Sequence, residues 1–526
     1  MAVGTAVSRL SGVGRILVLA YALGFHHLAD AYNLANTTPN MLYDIVLGGV
    51  LAATFIPVFV DRMATRSPAE AWRAISSVIT LALVVLTVAT IAFWLLAPFV
   101  IDAFTAFGHH AVPAAVLTQE RAVATNLLRW FVPQVFFYGL ISLATALLNA
   151  RSRFVVPMWV PMANNVVCIA VLLWFHQSVG NPTVRGALES GHQLVLLGLG
   201  TTVGVGLQAL LLVPSYARAG LGRVRFHWDP THEAVRTVVR LGLWTFGFVV
   251  ANQVALYVVL ALAVGARGDG PVSSWTYAYA FMQMPYAVVA VSVMSAVTPD
   301  LSRFWALKDL GAFRRRFTGG LRAVLSIILP AAVGMLILAK PAVALLLGHG
   351  AATPGQTADT GAALAILAAG LPGFCTFLYV VRALQAMQRT KVAFWLYLVE
   401  NVINVVLAIV LVGPMSVRGL AVSLSIAYSV AAVLGIAVLR AWLGHFGGRR
   451  AWSPLKGSGL STLVMGVVVL VASNLSGASH GIGLLVRVLG SVAAGTLAYL
   501  ATAMFMAGRD RRRQVPPLRL GPPRRW

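Results

Sequence analysis

The chain is predicted to be an all-α polytopic membrane protein of about fourteen transmembrane helices: two parallel six-helix lobes followed by two C-terminal helices. Three observations predict it. Hydrophobic residues make up 59% of the 526 residues and charged residues only 10%, with a mean hydropathy of +0.84, outside the range of soluble domains. Apolar runs long enough to cross a hydrocarbon core of about 30 Å recur along the whole chain, without the period-two alternation that a barrel wall requires. There is also a weak internal repeat. Pro39-Asn40 and Phe55-Ile56-Pro57 have counterparts in Met284-Pro285 and Val297-Thr298-Pro299. Likewise Phe131-Val132-Pro133, Asn149-Ala150-Arg151 and Asn164-Asn165 return as Gly370-Leu371-Pro372, Met387-Gln388-Arg389 and Glu400-Asn401. The offset corresponds to six helices, an even number of crossings, so the halves share one orientation.

Taken in order, helices are expected at 3–24, 29–61, 73–105, 119–150, 153–177 and 192–216, then 234–265, 273–305, 313–339, 357–387, 391–413 and 417–443, and finally 457–476 and 481–507. The corresponding units are an N-lobe, 1–217, a C-lobe, 218–443, two extra spans, 444–507, and a basic tail, 508–526. The first helix carries Arg9 and Arg15 inside an apolar run. It lacks the basic leader and uniform apolar stretch of a cleaved signal peptide. The second carries Asn33, Asn36, Asn40 and Tyr43/Asp44 at spacings of three and four, one polar stripe interrupted by Pro39, which weakens the helix and allows a kink. Cys168 and Cys375 fall in distant helices and imply neither a disulfide nor a metal site. The histidines, His26-His27 and His109-His110 among them, show no ligand spacing.

Loop charge sets the orientation. With the N-terminus inside, the inner loops hold Arg62, Arg66 and Arg73, Arg151 and Arg153, the Arg303–Arg322 cluster, Arg389, Lys391 and the Arg-rich tail, whereas the outer loops hold only Arg185, Arg267, Lys340 and Arg418. Both termini are therefore expected in the cytoplasm. This bias accounts for most of the net charge of +24 without nucleic acid, and the basic tail, Arg509–Arg513, suits contact with anionic lipid.

Charge at bilayer depth is costly and usually faces a wet cavity and a partner. With only 15 acidic residues in the chain, Arg9 and Arg15 point to an anionic ligand, although Arg9 lies near enough to the helix start to snorkel to the surface. The asparagine stripe would line the same cavity between the lobes; the competing reading is a hydrogen-bonded seam between helices. On the eleventh helix Glu400, Asn401 and Asn404 place a carboxylate beside two amides, suited to a small cation or a proton, with Asn252-Gln253 facing it from the seventh. Alternatively Glu400 pairs with Arg382 or Arg240 and only stabilises the lobe. Nothing in the sequence looks like a nucleophile–base set, a phosphate-cradling glycine loop or a metal cluster, so the charge on the chain is better explained by transport than by chemistry.

The run Ser8-Arg9-x-x-Gly12-x-x-Arg15, with Gly24, Asp30-Ala31, Pro39-Asn40, Gly48-Gly49 and Phe55-Ile56-Pro57-Val58, resembles the opening of the MurJ (MviN) family. The segment 131–165, with Gln134, Tyr138-Gly139, Leu148-Asn149 and Pro161-x-x-Asn164-Asn165, resembles its actinobacterial branch. The resemblance covers about 3–443. It implies flipping of lipid II, the lipid-linked peptidoglycan precursor, across the bacterial inner membrane, in a superfamily shared with MATE exporters and polysaccharide flippases. It further implies a basic cavity between two lobes, extra helices sheltering the lipid tail, cavity arginines at Arg9 and Arg15, and a second-helix aspartate at Asp30. The chain departs from the family where paired arginines become Tyr43-Asp44 and a Tyr-Ala-Asp-Arg run becomes Tyr277-Ala278-Tyr279-Ala280, with Gln283 in place of an acidic residue. A seventh-helix aspartate becomes apolar near Val259, and of the eleventh-helix pair only Asn404 matches.

The expectation is thus a flippase working by alternating access, not an enzyme, with Arg9, Arg15, Asp30, Asn33, Asn36 and Asn40 toward the substrate. Its partners would be lipid II, anionic lipids and cell-wall synthesis proteins. Alternatives are a flippase for another undecaprenyl-diphosphate-linked glycan, or a degenerate flippase serving as a cell-wall assembly scaffold.

Overall fold

A computed structural model describes residues 2–48, 56–106, 113–151, 153–180, 182–219, 224–444 and 449–514. The first half runs α1 (Ala2–Leu23), α2 (His27–Tyr43), a π-helical turn (Asp44–Gly48), α3 (Ile56–Thr65), α4 (Pro68–Thr105), α5 (Ala114–Phe131), α6 (Pro133–Ala150), α7 (Val155–Val179), α8 (Val184–Ser190), α9 (His192–Leu210) and α10 (Val213–Arg218). The second runs α11 (Glu233–Val264), α12 (Pro271–Pro285), a second π-helical turn (Tyr286–Ala290), α13 (Val291–Ala306), α14 (Leu310–Leu347), α15 (Pro354–Ala386), α16 (Thr390–Met415) and α17 (Val417–Leu443), followed by α18 (Arg449–Ser476) and α19 (Gly481–Gln514). Among the described residues there is no strand, and 12 helices or joined helix pairs are long and apolar enough to cross a membrane. Together with α1 and α2 they make the expected set.

The outer surface carries apolar side chains, as lipid requires. On α4, Val88, Ile91, Leu95 and Phe99 form an exposed stripe at helical spacing. Cys168 and Cys375 are free and buried.

Several boundaries differ from the sequence reading. The second expected helix ends its α-geometry at Tyr43 and passes into the π turn; Gly49 and Phe55 lie outside the described residues, as do His109 and His110. The third starts at Pro68, where Ser67 accepts from the Glu70 backbone and Glu70 reaches back, a capping box with proline in the first turn. The fourth is interrupted at Val132, because Pro133 has no N–H to continue the ladder. The ninth, expected to stop at 339, continues through Pro341 to Leu347, and the last reaches Gln514 into the basic tail.

Helices of the first half pack on one another, α1 on α7, α2 on α5, and α9 on α5 and α7. In the second half α15 packs on α14 and α17, and α16 on α11 and α17. The halves meet through α2–α12, α4–α11 and α1–α14, and α18 and α19 pair with each other against α14. At one end of the bundle the turn after α1 is wedged between loops of the second half. Gly270, at φ 67°, lies so close to Phe25 that a Cβ would overlap its carbonyl oxygen. Ala351 N–H donates to the Tyr21 carbonyl at 3.2 Å, and the His26 ring meets the Ala351 carbonyl at 3.1 Å. At the opposite end Arg62 of α3 pairs with Glu233 of α11 at 3.1 Å; this guanidinium, with Arg66 beyond it, holds the Glu233 carboxyl below the usual carboxylate range.

Candidate functional site: a basic cavity wall and an apolar groove

Arg15 is half-buried and stands among Tyr32 of α2, Tyr138 of α6 and Cys168 of α7, donating to the Cys168 sulfur. Cys168 in turn donates to Asn164 Oδ1 at 3.4 Å. No carboxylate of the described residues lies within ion-pair distance of Arg15. The wall extends along α2. Asn36 and Asn40 are partly exposed, Asn40 donates to the Asn36 carbonyl at 3.0 Å and shares a hydrogen bond with Tyr138, and Tyr138 donates to Gln134 Oε1 at 3.1 Å. One turn further, Tyr43 meets Ser142 of α6. The α2 stripe thus reaches Arg15 through Tyr138, an aromatic that spacing within a single helix could not assign.

Arg9 is exposed one and a half turns earlier on α1, and its charge acts on Tyr286 at the start of the second π turn. The charge of Arg382 on α15 acts on the same tyrosine, and its guanidinium donates to Gln385 Oε1 at 3.3 Å. The sequence reading considered Arg382 only as a counter-charge for Glu400. Its signal was the loss of the family's eighth-helix arginine, where this chain has Tyr277-Ala278-Tyr279-Ala280.

Asp30 and Asn33, expected beside these groups, go elsewhere. Asp30 is buried and accepts from Val272 N–H at 3.2 Å, Ser273 N–H at 2.7 Å and Ser273 Oγ at 2.6 Å. Asn33 donates to Ser273 Oγ at 3.0 Å and lies 3.4 Å from the Tyr277 hydroxyl. The reason is electrostatic: Pro271 opens α12, and its first amides have no intrahelical acceptor, so a carboxylate from α2 caps them across the seam. For these two residues the hydrogen-bonded seam, rather than the cavity wall, is the observed arrangement.

Glu400 is 1% exposed, and neither of its carboxylate oxygens has a hydrogen-bond donor. It therefore pairs with neither Arg382 nor Asn252; the Arg240 side chain lies outside the described residues. The Glu400 charge acts on Tyr279, Tyr397 and Tyr428, none of which donates to it. Asn401 donates to the Tyr397 carbonyl at 2.9 Å and Asn404 Oδ1 accepts from Ser423 at 3.0 Å. Asn252 is half-buried on α11, and the adjacent Gln253 donates to Asp44 Oδ2 at 3.1 Å rather than toward α16. No hydrogen bond joins Glu400 to Asn401, Asn404 or Asn252. Among the described residues no group of three metal-ligating side chains occurs.

In the second half an apolar groove of about 710 Å³ lies between α12, α14, α18 and α19, lined by Phe281, Met284, Pro330, Met335, Met465 and Tyr499 among others. Met284 and Pro285 adjoin Tyr286, so the groove ends next to the tyrosine on which the charges of Arg9 and Arg382 act. Tyr499 donates to the Ser326 carbonyl at 2.6 Å and contacts Ser458 Oγ at 2.9 Å, tying α19 to α14 and α18. Such a pairing of cationic wall and dry slot suits an anionic head on a long hydrocarbon tail.

Comparison with known proteins agrees with this geometry. The sequence model of the family described as Lipid II flippase MurJ matches residues 19–490. The Probable lipid II flippase MurJ of Rhizobium meliloti (strain 1021) is 27% identical over 443 residues, covering 84% of this chain and 79% of the relative. The Lipid II flippase MurJ of Burkholderia cenocepacia is 27% identical over 396 residues, covering 74% and 72%. A solved structure titled Lipid II flippase MurJ, inward closed conformation, superposes with a TM-score of 0.76 at 22% identity, over 97% of this chain and 99% of that one. An inward-facing multidrug resistance MATE family transporter of the MOP superfamily superposes with a TM-score of 0.69 at 14% identity, over 85% of this chain and 99% of the other. With the family model spanning both halves and the start of the last helix, the chain belongs to the MurJ lipid II flippase family.

Proposed function

We propose that this protein moves lipid II from the inner to the outer leaflet of the bacterial inner membrane by alternating access, with both termini in the cytoplasm. The observation that carries the reading is Arg15: a guanidinium at bilayer depth with no carboxylate within ion-pair distance among the described residues, set among tyrosines of α2 and α6. Arginine offers a planar fork suited to diphosphate oxygens. Arg9 supplies a second charge, and Arg382 takes the part that the eighth helix leaves vacant. Asn36 and Asn40 face the sugar–peptide headgroup, and the tail lies along α12, α14, α18 and α19. The lobes 1–217 and 218–443 rock about the seam in which Asp30 caps α12, with 444–507 as the tail shelter and 508–526 against anionic lipid. No covalent bond is made or broken.

An inside-negative potential favours outward movement of a net anionic headgroup by about 2.3 kcal/mol per charge per 100 mV. Glu400, with Asn401 and Asn404, is the candidate proton or cation site of the second lobe. A second reading, a flippase for another undecaprenyl-diphosphate-linked glycan, is favoured by one observation: tyrosines and alanines occupy the Tyr277–Ala280 run. The deciding experiment is flipping in proteoliposomes of equal protein content, with lipid II and with a teichoic-acid-type precursor supplied separately. Lipid II movement that is lost in Arg15→Ala and partly kept in Arg15→Lys supports the proposal. Movement of the other glycan alone transfers the assignment to the second reading, and full lipid II flipping by Arg15→Ala rules out diphosphate binding there.

A further inference from the structure

The two halves meet at two carboxylates of α2 and its π turn, and they are treated differently. Asp30 is 2% exposed and receives three donors. A carboxylate that only holds a seam shut is expected to be saturated in this way. Asp44 lies four residues after Asn40 on the same polar stripe, on the first position of the π turn, and is only half-buried. It receives one donor, the Gln253 amide at 3.1 Å. Gln253 is 6% exposed, and its own carbonyl oxygen, Oε1, is buried without any partner. A buried amide oxygen without a donor costs about 1–3 kcal/mol, and an incompletely solvated carboxylate at bilayer depth costs more. No arginine or lysine among the described residues lies within ion-pair distance of Asp44. Two acceptor groups therefore stand side by side with a shortage of donors, where the polar stripe of α2 meets α11.

We propose that Asp44 and Gln253 form a subsite for a protonated primary amine carried on the headgroup of the lipid-linked cargo. This rests on the flippase reading and adds to it: the cargo is recognised as a zwitterion, its diphosphate by Arg15 and its ammonium by Asp44. An ammonium has three hydrogens and no acceptor, which matches the Asp44 carboxylate and the orphaned Gln253 oxygen. The two recognition points lie on opposite sides of Asn40, Arg15 toward α7 and Asp44 toward α11, so a headgroup that engages both spans the contact between the halves.

The test uses the full chain in proteoliposomes with two synthetic undecaprenyl-diphosphate muropeptides, one with a free stem-peptide amine and one with that amine N-acetylated. The wild type is expected to move the free-amine precursor about tenfold faster below saturation, the scale of one charge-assisted hydrogen bond. Asp44→Asn keeps the shape and the contact with Gln253 and should bring the ratio of the two rates close to one; Gln253→Leu, which removes the orphaned oxygen, should lower the ratio by several-fold. Equal rates for both precursors in the wild type overturn the inference alone. An Asp44→Asn variant that slows both by one factor, leaving the ratio intact, assigns Asp44 to the seam and overturns it too. A preference that vanishes when sodium is replaced by choline assigns the oxygens to a free cation, with the same consequence. Failure of the wild type to move either precursor overturns the flippase reading and the subsite with it.

Discussion

Replacing Asp30 by asparagine tests whether the seam between α2 and α12 governs opening at its end of the bundle. In the structure Asp30 Oδ1 accepts from both the backbone and the hydroxyl of Ser273, and Oδ2 accepts from Val272 N–H. Asparagine keeps one acceptor oxygen and turns an NH₂ toward the Val272 amide, so that bond is lost along with the charge at the helix N-terminus. A hydrogen bond to a charged group contributes about 1.5–3 kcal/mol, and a charge at a helix N-terminus about 0.3–1 kcal/mol. Water partly replaces both when the seam opens, which leaves a net loss of about 2 kcal/mol for the closed arrangement. That is about a thirtyfold rise in the population open at this end. The assay is alkylation of a cysteine at Val272, which is fully buried, by a membrane-impermeant maleimide, in a background with Cys168 and Cys375 replaced by serine. Labelling is expected to accelerate by the same factor in the Asp30→Asn variant. An unchanged labelling rate would refute the argument, because it would mean that the capping bonds do not resist opening.

Glu400→Gln should leave thermal stability in detergent unchanged or raise it, since the native carboxyl has no donor on either oxygen and pays the full cost of burial; a large drop in melting temperature would show that the carboxylate is a stabilising partner after all. If Glu400 carries the coupling proton or cation, the same variant should flatten the dependence of flipping on external pH or cation, and an unaltered profile would remove it from that role. Gly270→Ala should cost about 1–3 kcal/mol, because its φ of 67° is disfavoured with a side chain and the added carbon meets Phe25; differential scanning fluorimetry reads this directly, and a wild-type melting curve would count against the wedge. Tyr499→Phe removes the hydroxyl shared between Ser326 and Ser458, at about 1 kcal/mol. Its effect should appear as faster hydrogen exchange confined to α18 and α19, and exchange spread over the whole bundle would contradict it.

Hydropathy alone made the helices and their number legible, because lipid demands long apolar runs whatever the tertiary contacts. The polar stripe on α2 was legible as well, and Asn36 and Asn40 lie on the Arg15 wall. What the stripe could not reveal was its division of labour: Asn33 and Asn40 share one periodicity, yet Asn33 finds Ser273 from a helix far along the chain. Nothing local distinguishes a residue that will meet another helix from one that will meet water. The same limit hid Arg382, whose charge acts on Tyr286 together with that of Arg9 although the two lie far apart in the chain. Ser67-Pro68-Ala69-Glu70 was readable as a helix start, but the hydropathy window placed the boundary after it because the capping residues are polar. The π turns left no hydropathy signal at all, since they change the winding of the chain and not its composition.

Those turns, Asp44–Gly48 and Tyr286–Ala290, occupy corresponding places, each following a proline-bearing segment, Pro39 in one half and Pro285 in the other. A π turn accommodates one residue more than an α turn over the same rise, so each acts as a phase shifter of about 100°. The second turn leads directly into α13, so the azimuth of every side chain on that helix is offset from the one that α12 would dictate. Deleting a single residue there would let the turn relax to an ordinary α turn at little cost in helix. The outer part of the helix would keep its facing, and the inner part would rotate by about a quarter of a circle. The fold therefore holds a point at which the loss of one codon re-aims half a membrane helix, so that related sequences can change what faces their cavity without altering the helix count or the hydropathy profile.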